Sequence, residues 1–421
     1  MPPVIILSVP FYGELSPMLE IARALVKAGD DVTVVTGSRF EESVSAIGAA
    51  FVPLSGAADF DDRDLAATFP AARTVQPGPE QLNLLFGIAV DGIPAQSAAL
   101  DGLLQERPDS ALVSNSVSFG AWPSVLGAPV RRPARWIAVG ANPLTLPSAD
   151  TGPFGPSTGP DAATANQAAW EQFQDMLAPS SRRAREVLHG LGATLPAPRI
   201  VDGMTGLPEH FLSLTVAGFE FPRQDIPSSV SLIGALPPAS VPDDWVAPDW
   251  WTDLDNGRPV VVVTQGTLAN DDLTALVLPT MEALADTDVL VVATLGRNAP
   301  ESFGHLPNNA RVAEYLPYEA LLPRADAYVT NGGFGGTQQA LRAGVPVVIA
   351  GDTDDKPLVA ARVAWRNVGI DLHTARPEPA RIREAVLHVL GDRAVWNAVD
   401  KLSVEYRAAD PIAAIRDHIG K

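Results

Sequence analysis

No cysteine occurs anywhere in the 421 residues of this chain, so disulfides, thiolate metal sites and cysteine nucleophiles are excluded. Positive charge is scarce: 30 Lys and Arg stand against 49 Asp and Glu, for a net charge of −19. Such a surface repels nucleic acid and anionic lipid, and neither is expected as a partner; a local pocket for a phosphate stays compatible with it. Long apolar runs are also lacking. Val4 to Val9 has no basic flank before it and is followed by Pro10 and Gly13. It is too short for a signal-peptide core or a spanning helix and reads as a first buried strand. No other segment reaches spanning length without a charge or a proline, so we expect no membrane span and a cytoplasmic location. Histidine is missing from the first 188 residues, its six copies falling at 189, 210, 305, 373, 388 and 418.

What is present is a globular composition, 46% hydrophobic and 19% charged, in a chain longer than one core usually serves. Short apolar runs alternate with helical patterns: strands at 4–9, 31–36, 50–54, 111–114 and 135–139, with helices at 17–28, 41–47 and 96–106. The alternation restarts with strands at 260–264, 289–294, 312–314, 327–330 and 345–350 and helices at 273–285, 337–343 and through Trp365. Continuous apolar strands separated by helices predict parallel sheets covered on both faces. The proline-dense run SLIGALPPASVPDDW marks a linker. We therefore expect an N-terminal domain over 1–230, a linker over 231–245, a C-terminal domain over 246–400 and a final helix over 401–421 packing back on the first domain. Two doubly wound domains in series place ligands at the C-terminal ends of their strands, in a cleft between the two.

The stretch AYVTNGGFGGTQQALRAGVPVVIAG carries most information. A buried strand ends at Thr330, glycines stand at 332, 333, 335 and 336, and a helix is predicted from Thr337. Glycine lets the backbone approach a ligand closely, and the free N–H groups of a first helical turn favour a phosphate. Such turns also occur simply for tight packing. A second turn, Thr264-Gln265-Gly266-Thr267, follows the apolar run 260–263 and offers Gly266 and the Thr267 hydroxyl at an adjacent strand end. Neither turn is a Walker P-loop, since no lysine follows the glycines, and neither is GxGxxG.

Taken in order, YGELSPMLEIARALVKAGDDVTVVTGSRF, GALPP and TNGGFGGTQQAL with GVPVVIAGDTDDKP resemble glycosyltransferase family 1, more closely its bacterial macrolide-type branch, across nearly the whole chain. The resemblance implies a GT-B architecture, two Rossmann-like domains facing across a cleft. It also implies an inverting, metal-independent transfer from a UDP- or TDP-sugar to a lipophilic small molecule, with no cofactor beyond that co-substrate. Monomer and homodimer are both compatible with it. By position, Gly333, Gly335, Gly336 and Thr337 are to lie at the diphosphate. Asn331 stands where the family more often has a histidine bonding the phosphate, and Gln339 where a glutamate commonly holds the ribose. Leu316 and Pro317 match the loop whose backbone reads the base, with Tyr315 or Tyr318 as its ring platform. Asp355 and Lys356 match an Asp-Gln pair that grips the sugar.

The family's usual base, a histidine after the first strand, is here Glu14, and its orienting aspartate is Asn115. In one reading Glu14 is itself the base: a carboxylate needs no aspartate to fix a tautomer, and Asn115 can donate a hydrogen bond to it. Partial burial would raise its pKa toward the working range. In the other, Glu14 is merely an acid favoured near the N-terminus of a helix capped by Ser16 and Pro17. Asp91 and Asp101 are further carboxylates of the first domain. A chain without a base could also be an auxiliary binding protein, or a nucleotide-sugar epimerase. The triplets Asp352-Thr353-Asp354 and Asp253-Leu254-Asp255 are expected by chance in so acidic a chain, and no metal is expected there. Phe60, Phe69, Phe86, Phe119, Trp122, Phe154, Trp170 and Phe173 concentrate aromatic area in the first domain, mostly as core, with some expected to line an acceptor pocket.

Overall fold

The computed structural model describes residues 1–76, 78–266, 272–296 and 306–420. They form two compact units. The first comprises Met1–Leu214, Pro222–Leu236 and the chain from Asp410 onward; the second comprises Thr215–Phe221 and Pro237–Ala409. The helix Arg393–Ala408 thus belongs to the second unit and the helix Pro411–Gly420 to the first.

In the first unit the strands are β1 (Val4–Leu7), β2 (Val32–Thr36), β3 (Ala50–Pro53), β4 (Ala111–Asn115), β5 (Arg135–Gly140), β6 (His210–Ser213) and β7 (Val230–Leu232). They pair throughout in parallel, in the order β3-β2-β1-β4-β5-β6-β7. Because successive side chains point to opposite faces, Ile5 and Leu7 enter one apolar cluster and Val4 and Ile6 the other. Both faces are therefore buried, which is why β1 reads as an unbroken apolar run. Each such side chain contributes about 1.5–3 kcal/mol on leaving water.

The second sheet comprises β8 (Val260–Thr264), β9 (Leu290–Thr294), β10 (Ala310–Ala313), β11 (Ala327–Thr330), β12 (Val347–Ile349) and β13 (Gly369–Asp371). It too is parallel among the described residues, in the order β10-β9-β8-β11-β12-β13. In each sheet the order reverses beside its first strand, between β1 and β4 and between β8 and β11. Those two switch points are where the connecting loops part and a doubly wound sheet leaves a crevice at its strand ends.

Several helix starts differ from expectation, two of them beside the candidate site residues. The first helix runs Tyr12–Lys27, not from Pro17, and Pro17 lies inside it. One intrahelical N–H is lost there, and Glu14 comes into the first turn. The helix after the glycines is Phe334–Ala343, three residues earlier than expected, so Gly335 and Gly336 are helical. Of the aromatics singled out, Phe60, Phe119, Trp122, Trp170 and Phe173 are buried core, while Phe154 is 54% exposed. Among the described residues no helix is long and apolar enough to cross a membrane.

Candidate active site

At the switch point of the first sheet, Phe11 is the extended residue that starts the helix, and its carbonyl accepts from Glu14 N and Leu15 N at 3.0 and 2.9 Å. Glu14 is partly buried there, at the positive end of the helix. Asn115, the last residue of β4, is wholly buried. Its Oδ1 accepts from Val117 N at 2.9 Å, which turns its Nδ2 toward Glu14 Oε2 at 2.6 Å. A residue that sequence reading did not single out completes the set: Asn142, two residues beyond β5, donates from Nδ2 to Glu14 Oε1 at 2.8 Å. Burial pushes the Glu14 carboxyl above the ordinary carboxylate range, and the amides of Asn142 and Asn115 pull it back. Asp91 and Asp101 are engaged elsewhere on the surface, with Arg183 and Arg131 respectively.

At the switch point of the second sheet, β8 leads into Gln265 and Gly266, and β11 into Asn331. Gly266 and Gly332 take φ of +79° and +88°, a backbone that side chains resist. Asn331 ties the two turns together: its Nδ2 donates to Gln265 O at 2.5 Å and its Oδ1 accepts from Gly333 N at 3.4 Å. Gly333 starts the helix without a side-chain cap. Thr337 N is the first N–H to bond back, to Gly333 O at 3.0 Å, so the preceding N–H groups of the turn have no intrahelical acceptor. Gly335 is exposed, with nothing within 4 Å of an added Cβ, whereas one at Gly336 would meet Tyr328 Oη at 2.9 Å. The Thr337 hydroxyl is buried without a hydrogen-bond partner. Gln339 is half-buried two positions further on. Thr267 lies outside the described residues.

Two more predicted groups gather on this edge. Leu316 is buried after β10, and Tyr315 next to it is 67% exposed. Tyr318 turns inward instead: its hydroxyl meets Tyr328 Oη at 2.8 Å and its ring stands edge-on to that of Tyr328. The stem of Lys356 packs over Gly332 and Gly351. Its Nζ bonds Asp354 Oδ2 at 2.7 Å and Thr353 Oγ1 at 3.2 Å, while Asp355 starts the helix Lys356–Arg366. Asp352 accepts from Ala375 N, Asp253 pairs with Arg311 and Asp255 with Arg324, so both acidic triplets are committed to donors of the protein. Among the described residues no cluster of His, Asp and Glu is arranged to hold a metal ion.

Two parallel sheets of Rossmann-like order in series are the GT-B architecture. The fold is shared with the calicheamicin glycosyltransferase CalG4, at a TM-score of 0.75 and 20% identity over 100% of this chain and 99% of that one. UDP-glycosyltransferase 2 of Phaeomoniella chlamydospora is 36% identical, over 99% of this chain and 95% of its own. The 4'-demethylrebeccamycin synthase of Lentzea aerocolonigenes is 35% identical, over 99% and 98%. The erythromycin biosynthesis protein CIII-like C-terminal domain matches residues 279–415. The chain belongs to glycosyltransferase family 1 and is an enzyme. The auxiliary-protein and epimerase readings find no support among these relatives.

Proposed function

We propose that this glycosyltransferase moves a sugar, with inversion, from a UDP- or TDP-sugar to a hydroxyl of a polyketide, macrolide or aromatic natural product. The first unit holds the acceptor and the second holds the nucleotide sugar. The observation that carries the donor half is the run of first-turn N–H groups at Phe334, Gly335 and Gly336, which have no intrahelical acceptor, with Gly335 facing open space, beside the Gly266 turn. Asn331 supports this site by joining its two turns, and its second amide hydrogen is left for an oxygen of the diphosphate. The exposed Tyr315 ring, beside the backbone at Leu316, suits stacking on the base. Gln339 serves the ribose, and Asp355 with Lys356 the sugar.

Glu14 is the base. As the acceptor oxygen bonds to the anomeric carbon, its proton passes to the Glu14 carboxylate and the bond to the diphosphate breaks. The charge released on the diphosphate meets the backbone N–H groups. Mass spectrometry of reactions pairing UDP- and TDP-sugars with a panel of lipophilic aglycones tests this reading. The expected product is heavier than the aglycone by one glycosyl unit, and Glu14→Gln lowers its rate of formation by about 10²–10⁴-fold while nucleotide binding persists. Failure to bind either nucleotide, or a Glu14→Gln enzyme as fast as wild type, would overturn it.

A further inference from the structure

Asn142 enters the site from β5, and nothing in its sequence neighbourhood marks it. Its location is nonetheless fixed. At Gly140, the last residue of β5, an added Cβ would fall 2.6 Å from Phe211 Cζ, and the Gly140 carbonyl accepts from Leu214 N at 2.9 Å. The chain is therefore held on two sides just before Asn142. β4 and β5 are neighbours, with Asn115 opposite Val139, so their ends present two side-chain amides to the same carboxylate from adjacent strands. Each amide takes a different oxygen: Asn115 takes Oε2 and Asn142 takes Oε1.

Two donors on two oxygens do what one cannot. The terminal torsion of a glutamate is broad and roughly two-fold, so a carboxylate held at one oxygen still swings about that contact. Held at both, its plane is set. A carboxylate offers about four lone-pair sites, and two remain for an incoming hydroxyl. Both contacts are donors, which suits the ionised form that a base must have. No ion pair of the described residues reaches Glu14. On its own helix the neighbouring titratable group is Tyr12, whose backbone N–H goes to Asp62 Oδ2 at 2.6 Å. Asp62, on the adjoining loop, is itself paired with Arg39, beside Asp61. The ends of β4 and β5 contribute only the two neutral amides.

We propose that Asn142 is a positioning residue for the transfer reaction, one that orients the Glu14 carboxylate and keeps it ionised for the acceptor's proton. This rests on the reading of Glu14 as the base. It adds a third member to that site, and it makes the acid side of the pH dependence a property of the two asparagines.

The test is the pH profile of kcat/KM for wild type, Asn142→Ala, Asn142→Asp and Glu14→Gln, with the nucleotide-sugar KM measured alongside. Asn142→Ala is expected to lower kcat about tenfold near neutral pH, the loss of one hydrogen bond to a charged group. It is also expected to move the acidic limb up by about one pH unit while KM for the nucleotide sugar stays within about twofold. Asn142→Asp keeps the volume and replaces a donor by a second carboxylate, so its acidic limb moves further in the same direction. It supplies the same readout if the alanine variant unfolds. Acidic limbs that superimpose on wild type in both variants would overturn the proposal for Asn142, provided Glu14→Gln is inactive. If Glu14→Gln turns over like wild type, the base assignment itself falls, and with it anything for Asn142 to position.

Discussion

Glu14 ionises against its own burial and with the help of two amides, and burial prevails. Its folded-state pKa lies above the unfolded value, so the folded protein holds this proton more tightly than the unfolded chain does. The stability this provides is complete below the unfolded pKa and is lost as pH rises through the folded one. The stability difference between wild type and Glu14→Ala should therefore move in favour of the alanine variant as pH rises from about 4 to about 8, by denaturant titration at each pH. A difference that moves the other way would mean that the amides outweigh burial. Sequence reading anticipated the bond from Asn115, because a donor beside a carboxylate makes sense where an aspartate would repel it. It could not find Asn142. That contact joins residues 128 apart through strand ends that become neighbours only in the folded sheet.

At the level of elements, the glycines of the second unit fall into two groups with opposite consequences. Gly335 faces open space on the first turn of its helix. Gly335→Ala should leave thermal unfolding unchanged or raise stability by up to about 0.5–1 kcal/mol, and should weaken UDP and TDP binding in a calorimetric titration. Gly351 faces the Asn331 carbonyl, which an added Cβ would meet at 2.0 Å. Gly351→Ala should therefore destabilise the fold by about 1–3 kcal/mol. Equal behaviour of the two variants in both assays would contradict this division. The strands β8 and β11 were legible to the residue, as uninterrupted apolar runs ending at threonine. The helix starts were not. Gly335 and Gly336 read as loop until tertiary packing makes them helical, and the helix expected from Leu273 begins at Val277, where Gln265 Oε1 accepts from Leu276 N and Val277 N. β13, at Gly369–Asp371, is too short to carry an alternating signal.

Over the whole molecule, alternation of strand and helix was enough to predict two doubly wound units, but not how the chain is shared between them. Seven residues, Thr215–Phe221, belong to the second unit although the chain on both sides belongs to the first. Glu220 anchors them there through a buried ion pair with Arg362, 2.8 Å long, with the guanidinium also lying over the Phe221 ring. Removing one partner of a buried pair leaves an uncompensated charge, so Glu220→Ala should cost about 3–5 kcal/mol in equilibrium unfolding. A loss below about 1 kcal/mol, the worth of a surface pair, would show that the segment is held by other contacts. No periodic pattern announces such an exchange, because it is decided by where one acid and one arginine meet across 142 residues of chain.

The measurement that bears most directly on the chemistry is the single-turnover rate of sugar transfer by Glu14→Ala, with and without added formate at constant ionic strength. With the carboxylate gone, transfer should be slow and should accelerate as formate takes up the vacated position between Asn115 and Asn142. Wild-type rates from the alanine variant with no formate present would contradict a carboxylate base at the switch point of the first sheet.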